Sequence, residues 1–377
     1  MMNAPVVAGD VIAEKYRVDR ISGSGELGTV AFASHLVLPQ RVAIELLLAD
    51  GSPERVERSL REARAAVALK GEHVARVLDV GQLASGVAYI VTEHLDGQDL
   101  SELLRSRGRI ELSEAIDWVL QACVAVAEAH AAGIVHRDLE PARLFLATTP
   151  GGATLLKVLG FGASRELPGA SDGGAPAQTR EDLGAPLYMS PERMRSSVAV
   201  DARADVWSLG AILYRLLTGR PPFEASSLAD LAPRIASAAP ALPSALRSDI
   251  PPAIDRVLLC CLEKDPARRP TSVAELAIAL APHASAEGQD HVERAARLLG
   301  ATLPTRPRAS LPTIGLGLSA RPRPPESAGP SSEAGPVTSR YGAYGAQDTG
   351  RNRARIALIA AVASLLAILG VAATQLR

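Results

Sequence analysis

From about residue 8 to residue 281 the chain shows two rhythms of apolar and polar positions, one after the other. Runs at 16–21, 28–35, 41–47, 75–80 and 87–92 are alternating or continuously apolar, which predicts strands, whose side chains point to opposite faces in turn. Between the third and fourth of these, residues 53–69 place Val56, Leu60, Ala63 and Val67 on one face at helical spacing. After Thr92 the helical rhythm takes over. Ile116, Val119, Leu120, Cys123 and Ala127 recur every three or four residues, and so do Val206, Leu209, Gly210 and Leu213. The expectation is an α+β globular part over 8–281, a small β-rich lobe followed by a larger helical one.

The rhythm then stops. Residues 282–350 are rich in Pro, Ser, Gly, Ala and Arg, the composition of a disordered tether. One short helix fits around 291–299, where Val292, Ala295, Ala296 and Leu299 share a face. Residues 356–374 form an uncharged, mostly apolar run, at the short end of the roughly 20 residues that span a bilayer. Arg351, Arg353 and Arg355 lie just before it. The positive-inside tendency therefore predicts a single-pass protein of the inner (cytoplasmic) membrane, its globular part cytoplasmic and its C-terminus outside. The first ten residues carry no basic stretch and no long apolar run, so no secretory signal is expected there.

Composition adds limits. With 47% hydrophobic residues over 377 positions the chain can bury a large core. Lys plus Arg number 40 against 41 Asp plus Glu, so no overall field points to nucleic acid as a partner. Cys123, Cys260 and Cys261 are the three cysteines, without metal-ligand spacing, which fits a reducing compartment.

The candidate chemistry lies in short motifs. Gly23-Ser24-Gly25-Glu26-Leu27-Gly28-Thr29-Val30 joins two predicted strands with positions free of side chains, where backbone amides can approach phosphates. Downstream, in order, come Val42-Ala43-Ile44-Glu45, Glu62 on the predicted helix, and His136-Arg137-Asp138-Leu139-Glu140-Pro141-Ala142-Arg143. Gly160-Phe161-Gly162, Ser190-Pro191-Glu192, Asp205-Val206-Trp207-Ser208-Leu209-Gly210 and Asp265-Pro266-Ala267-Arg268-Arg269-Pro270 follow. In order and spacing this set resembles the motifs of the protein kinase family. The phrases at Tyr188–Glu192 and Leu217–Phe223 resemble the bacterial Ser/Thr kinases of that family.

The resemblance implies a bilobal protein kinase-like fold with a nucleotide between the lobes. Gly23, Gly25 and Gly28 would face its phosphates. Val30, Ala43 and Phe145 would sandwich its base, with Thr92 at the gatekeeper position. Asp138 takes the proton-acceptor position, and Arg137 with Asp205 resembles the pair that fixes the catalytic loop. Thr179, Ala185 and Glu192 fall in the activation segment with Phe161 and Gly162, and Glu192 with Arg269 resembles a buried ion pair that staples it.

Several positions depart from the family's pattern. Glu45 stands where a lysine holds phosphates and pairs with the helix glutamate, here Glu62. Reversing a unit charge about 4 Å from a phosphate opposes binding by roughly 4 kcal/mol at an effective dielectric of 20. Facing inward, Glu62 would also repel Glu45. Gly160 and Arg143 replace the two side chains that hold magnesium, one with no oxygen and one with a fixed cation. Glu140 and Ala185 replace a lysine and a threonine on the substrate side. Lys15 is the only lysine near the first strands and lies at their edge.

These departures predict a signalling pseudokinase, tethered to the membrane, that acts as a scaffold or regulator. The alternative is an active Ser/Thr kinase that transfers the ATP γ-phosphate through an atypical site. No metal site is expected, and ATP without magnesium is the one cofactor left open. The partners expected are proteins, among them an active kinase or its substrates, together with the membrane through 356–374.

Overall fold

Strict alternation builds the first sheet and decides which side of it each residue takes. In the computed structural model, which describes residues 6–25, 28–47, 53–149, 151–162, 184–195 and 200–303, six strands form one antiparallel sheet. They are β1 (Val11–Ile12), β2 (Tyr16–Gly25), β3 (Gly28–His35), β4 (Arg41–Leu47), β5 (Val77–Gln82) and β6 (Ala88–Glu93), in the order β1-β2-β3-β4-β6-β5. On β4, Val42, Ile44 and Leu46 are fully buried in a small core with Ile12, Val18, Ala31, Ala33 and Val91. Period two then puts Ala43, Glu45 and Leu47 on the opposite face, where Leu47 packs on the main core.

The helix α1 (Pro53–Ala66) crosses that second face. It is shorter than the pattern predicts, because its last turn tightens: Val67, Ala68 and Leu69 donate to the carbonyls three residues back. Tightening swings Val67 outward to 36% exposure and turns Ala66 and Leu69 into the core instead.

The second lobe begins with β7 (Gly97–Asp99) and α2 (Leu100–Arg107), whose N-terminus is capped by Asp99. Next come α3 (Leu112–Ala131), β8 (Leu144–Thr148) and β9 (Thr154–Val158), the last two forming a small sheet with β7. After α4 (Pro191–Arg195) and α5 (Arg203–Thr218) lie α6 (Leu228–Ser237), α7 (Pro243–Leu246), α8 (Pro252–Cys261) and α9 (Val273–Leu280). The apolar faces predicted on α3 and α5 form the centre of the main core.

Packed structure continues past residue 281. Where a short helix was expected inside a tether, α10 (Ala286–Leu299) runs for 14 residues, capped by Ser285 and closed by left-handed Gly300. Its Val292, Ala295 and Ala296 bury against α3 and α9. A Cβ on Gly288 would meet the Asp117 carboxylate at 2.2 Å, so a larger residue there would require that side chain to shift. Arg294 pairs with Glu72 of the first lobe, and His291 meets His73 edge to face with ring centroids 4.9 Å apart. Among the described residues no helix is long and apolar enough to cross a membrane; the span expected at 356–374 lies outside them.

That junction makes stability depend on pH. Burial pulls the His73 imidazole down from 6.5 to about 4, against the hydrogen bond its Nδ1 donates to the Leu156 carbonyl. A histidine held neutral contributes stability that is complete above about pH 6.5 and lost as pH falls toward 4. At roughly 1.4 kcal/mol for each tenfold change in proton affinity this amounts to about 3 kcal/mol. The stability lost between pH 7 and pH 4.5, read from urea unfolding at each pH, is expected to be about 2 kcal/mol smaller in His73→Asn than in the parent chain. An unchanged acid limb would remove His73 as the cause.

Candidate functional site

The loop that carries Asp138 is held from below by one buried carboxylate. Asp205, fully buried on α5, accepts from the backbone N–H of His136 (2.9 Å) and of Arg137 (2.8 Å), and from His130 Nε2 at 2.8 Å. Burial raises the acid's proton affinity, but these donors outweigh it and hold Asp205 below the usual carboxylate range. The loop bends sharply here, with Arg137 at φ +64°. His136 lies edge-on to buried Phe161, with ring centroids 4.7 Å apart, and its Nε2 donates to the Leu159 carbonyl. The expected link between Arg137 and Asp205 therefore runs through the backbone, and the guanidinium is turned elsewhere.

It turns to the first lobe. Arg137 Nη1 donates to Glu62 Oε1 on α1 at 3.3 Å. Gly162 seats the helix beside it: φ is +85°, and a Cβ there would lie 2.4 Å from the Ala63 Cα. Glu62 thus answers an arginine of the loop and does not oppose Glu45 as the sequence had suggested.

Glu45 has its own arginine. Arg143 ends a short 3-10 turn over Pro141–Arg143, whose first carbonyl, that of Glu140, accepts from the Arg143 N–H. Its two terminal nitrogens reach the two oxygens of Glu45 at 3.2 and 3.4 Å, the parallel fork that suits a carboxylate. Nη2 also stands 3.6 Å from Asp138 Oδ2, while Arg193 of α4 reaches Asp138 Oδ1 at 3.3 Å. These four side chains are 13% exposed at most. Burial works against the Arg143 charge, but Glu45 and Asp138 together raise its pKa above the ordinary guanidinium value. The line Glu45, Arg143, Asp138, Arg193 alternates in sign and sums to zero.

Gly160 completes this arrangement by leaving room. Its φ is +84°, and a Cβ built there would lie 3.1 Å from Arg143 Nη1 and 3.2 Å from Cζ. The guanidinium fills the space from which a side chain at 160 would start. A divalent cation seeks oxygen ligands. Gly160 offers no side chain, Arg143 offers a cation, and the Asp138 carboxylate lies between two guanidinium groups, so these residues do not fit magnesium. Among the described residues no group of three or more His, Cys, Asp and Glu side chains is placed to hold a metal.

The remaining expected positions are placed as follows. Val30 is the register partner of Glu45, and Ala43 that of Thr92, whose hydroxyl is 3.4 Å from the Ala43 carbonyl. Gly25 pairs with Gly28 where β2 turns into β3, with Gly23 two residues before; Glu26 and Leu27 lie outside the described residues. Phe145 sits on β8 opposite Asp99. Lys15 bonds Asp79 of β5 at 3.2 Å. Thr179 lies outside the described residues. Ala185 opens a 3-10 turn over Ala185–Tyr188. Glu192 forms the expected fork with fully buried Arg269, at 2.7 and 2.9 Å, and Arg269 also lies over the Trp207 ring at 4.9 Å. Arg269 keeps the Glu192 pKa low despite the opposing cost of burial.

Arg193 was missed from sequence. It adjoins the Ser190-Pro191-Glu192 motif but sits on a helix of five residues, too short for a periodic pattern to show which face is buried. Lys157, which joins β9 to Glu93 of β6 at 2.9 Å, was missed for the same reason.

A β-sheet lobe, a helical lobe, and between them a loop tied to a buried helix aspartate define the protein kinase class of folds. The protein kinase domain family's sequence model matches residues 16–280, and the chain belongs to that family. Over 272 residues it is 38% identical to the serine/threonine-protein kinase pkn3 of Myxococcus xanthus, covering 70% of this chain and 49% of that one. It is 35% identical over 270 residues to the serine/threonine-protein kinase PknB of Mycolicibacterium smegmatis, covering 70% and 42%. The chain thus spans half or less of the length of these relatives. The crystal structure of the Mycobacterium tuberculosis PknI kinase domain superposes with a TM-score of 0.58 at 26% identity, over 74% of this chain and 99% of that one.

Proposed function

We propose that the chain is a catalytically impaired member of its family, a pseudokinase that works as a membrane-tethered scaffold or regulator. The observation that carries this reading is the Arg143 guanidinium, bonded to Glu45 and seated over Gly160. Phosphoryl transfer depends on positioned metals and cations around the phosphates. Here the cation at that place is already paired and the metal-binding oxygens are replaced. Its partners are proteins, an active kinase or the substrates of one, met at the cytoplasmic face of the inner membrane. No cofactor is assigned, and ATP without magnesium is the one nucleotide left open to test.

A thermal-shift titration of the full chain in detergent micelles, with ATP and with or without magnesium, tests this. No magnesium-dependent stabilisation is expected. Ligand at 100 times its dissociation constant adds about 2.7 kcal/mol, so a shift of that size appearing only with magnesium would overturn the reading.

A second reading, an active Ser/Thr kinase, is favoured by the named activities of the relatives and by the aspartate retained at Asp138. It requires magnesium-dependent transfer of label from γ-labelled ATP to protein, lost in Asp138→Ala.

A further inference from the structure

Two anions of the sheet lobe each cross to a cation of the helical lobe. Glu45 comes from β4 and Glu62 from α1; their partners, Arg143 and Arg137, are six residues apart on one loop. The carboxylates are 13% and 27% exposed and the guanidinium groups 12% and 33%, so water competes only weakly for the first pair and moderately for the second. One ion pair between two bodies is a pivot, about which they can still turn. Two pairs on different elements fix the angle as well as the distance.

Apolar packing supports the same arrangement. Ala63, Ala66, Leu69 and Ile90 of the first lobe lie in one continuous core with α3 and α5 of the second, and Leu47 packs against it. The segment after α1 is also held, since the Glu128 carboxylate on α3 accepts from the N–H groups of Lys70 and Gly71. The loop beneath is itself fixed by Asp205.

We propose that Glu45–Arg143 and Glu62–Arg137 form an internal latch that holds the two lobes closed with no ligand between them. The carboxylate of Glu45 takes, on Arg143, the place that an oxyanion of a bound ligand would take. Closure then belongs to the resting state of the protein and does not wait for a nucleotide. This goes beyond the pseudokinase reading, because lobe closure and phosphate transfer are independent properties and are read out separately.

Spin-label distance measurements on the full chain in detergent micelles test it. Labels go on Val37→Cys, 85% exposed at the β3–β4 turn, and on Arg256→Cys, exposed on α8, in a Cys260→Ser background. Cys123 and Cys261 are buried. The parent chain without ligand is expected to give one narrow distance distribution, unchanged by the addition of millimolar magnesium and ATP. Glu45→Gln combined with Glu62→Gln is expected to broaden it and move it several ångströms longer. A distribution that is broad in the parent, or that narrows with magnesium and ATP, overturns the latch. So does a double variant that keeps the parent distribution. Should the double variant fail to fold, Glu62→Gln alone decides the matter, with partial broadening supporting the latch and no change overturning it.

Discussion

Arg143→Ala is expected to lower the stability of the folded chain by about 3–5 kcal/mol, the usual loss when one partner of a buried ion pair is removed. Glu45 and Asp138 both face this guanidinium from within the cleft, 13% and 3% exposed. Without it two carboxylates remain there, with Arg193 still 3.3 Å from Asp138. With a slope near 3 kcal/mol per molar urea, the midpoint should fall by about 1–2 M. Arg143→Lys keeps the charge but loses the parallel fork, so it should cost less than alanine. Adding Glu45→Gln to Arg143→Ala should restore part of the loss, because one of the two carboxylates facing the vacated space is then neutral. A loss below about 1 kcal/mol would mean that the pair is screened like a surface bridge.

Glu45→Lys, Arg143→Asn and Gly160→Asp, made together, are expected to raise magnesium-dependent phosphorylation at least about 100-fold above the parent chain. That is the low end of what a single preorganised electrostatic contact contributes. Made singly, none should do so, and the geometry gives a separate reason for each. Glu45→Lys sets an ammonium against the guanidinium that Glu45 now binds. Gly160→Asp must start its side chain 3.1 Å from Arg143 Nη1. Arg143→Asn leaves Glu45 without its fork. Effects of residues that act as a unit do not add, so the triple variant and not the sum of the singles is the test. Transfer of γ-labelled phosphate measures it, and Asp138→Asn in the triple background should abolish the gain. Glu140 and Ala185 stay in place and cap the rate. A single variant as active as the triple would show that the three positions do not act as one unit.

Much of this architecture can be read along the chain, because it rests on local rules. Alternation on β4 is enough to turn Glu45 away from the small core, and helical spacing finds the buried faces of α3 and α5. The fork between Glu192 and Arg269 is implied by the resemblance to the protein kinase motifs. Partner choice in the cleft is not. Glu45 and Arg143 are 98 residues apart, and only the docking of two separately patterned lobes brings them together. Treating Glu62 as an isolated inward charge gave repulsion, whereas the loop supplied each carboxylate with its own arginine. Arg193 and Lys157 sit on elements of five residues, below the length at which periodicity speaks. The helix α10 is longer than its pattern predicts because the polar residues of its outer face are of the same kinds as those of the Pro-, Ser-, Gly- and Arg-rich sequence that follows.

Mechanical load has a defined way into this fold. Covalent continuity means that a pull on the chain beyond residue 303 enters the body at Gly300, the left-handed residue that closes α10. The helix is about 21 Å long at 1.5 Å per residue, a stiff lever lying on α3 and α9. From its middle, Arg294 and His291 contact Glu72 and His73, just after α1, the helix that carries Glu62. Tension on the tail is thereby delivered to the segment that supports one half of the interlobe latch.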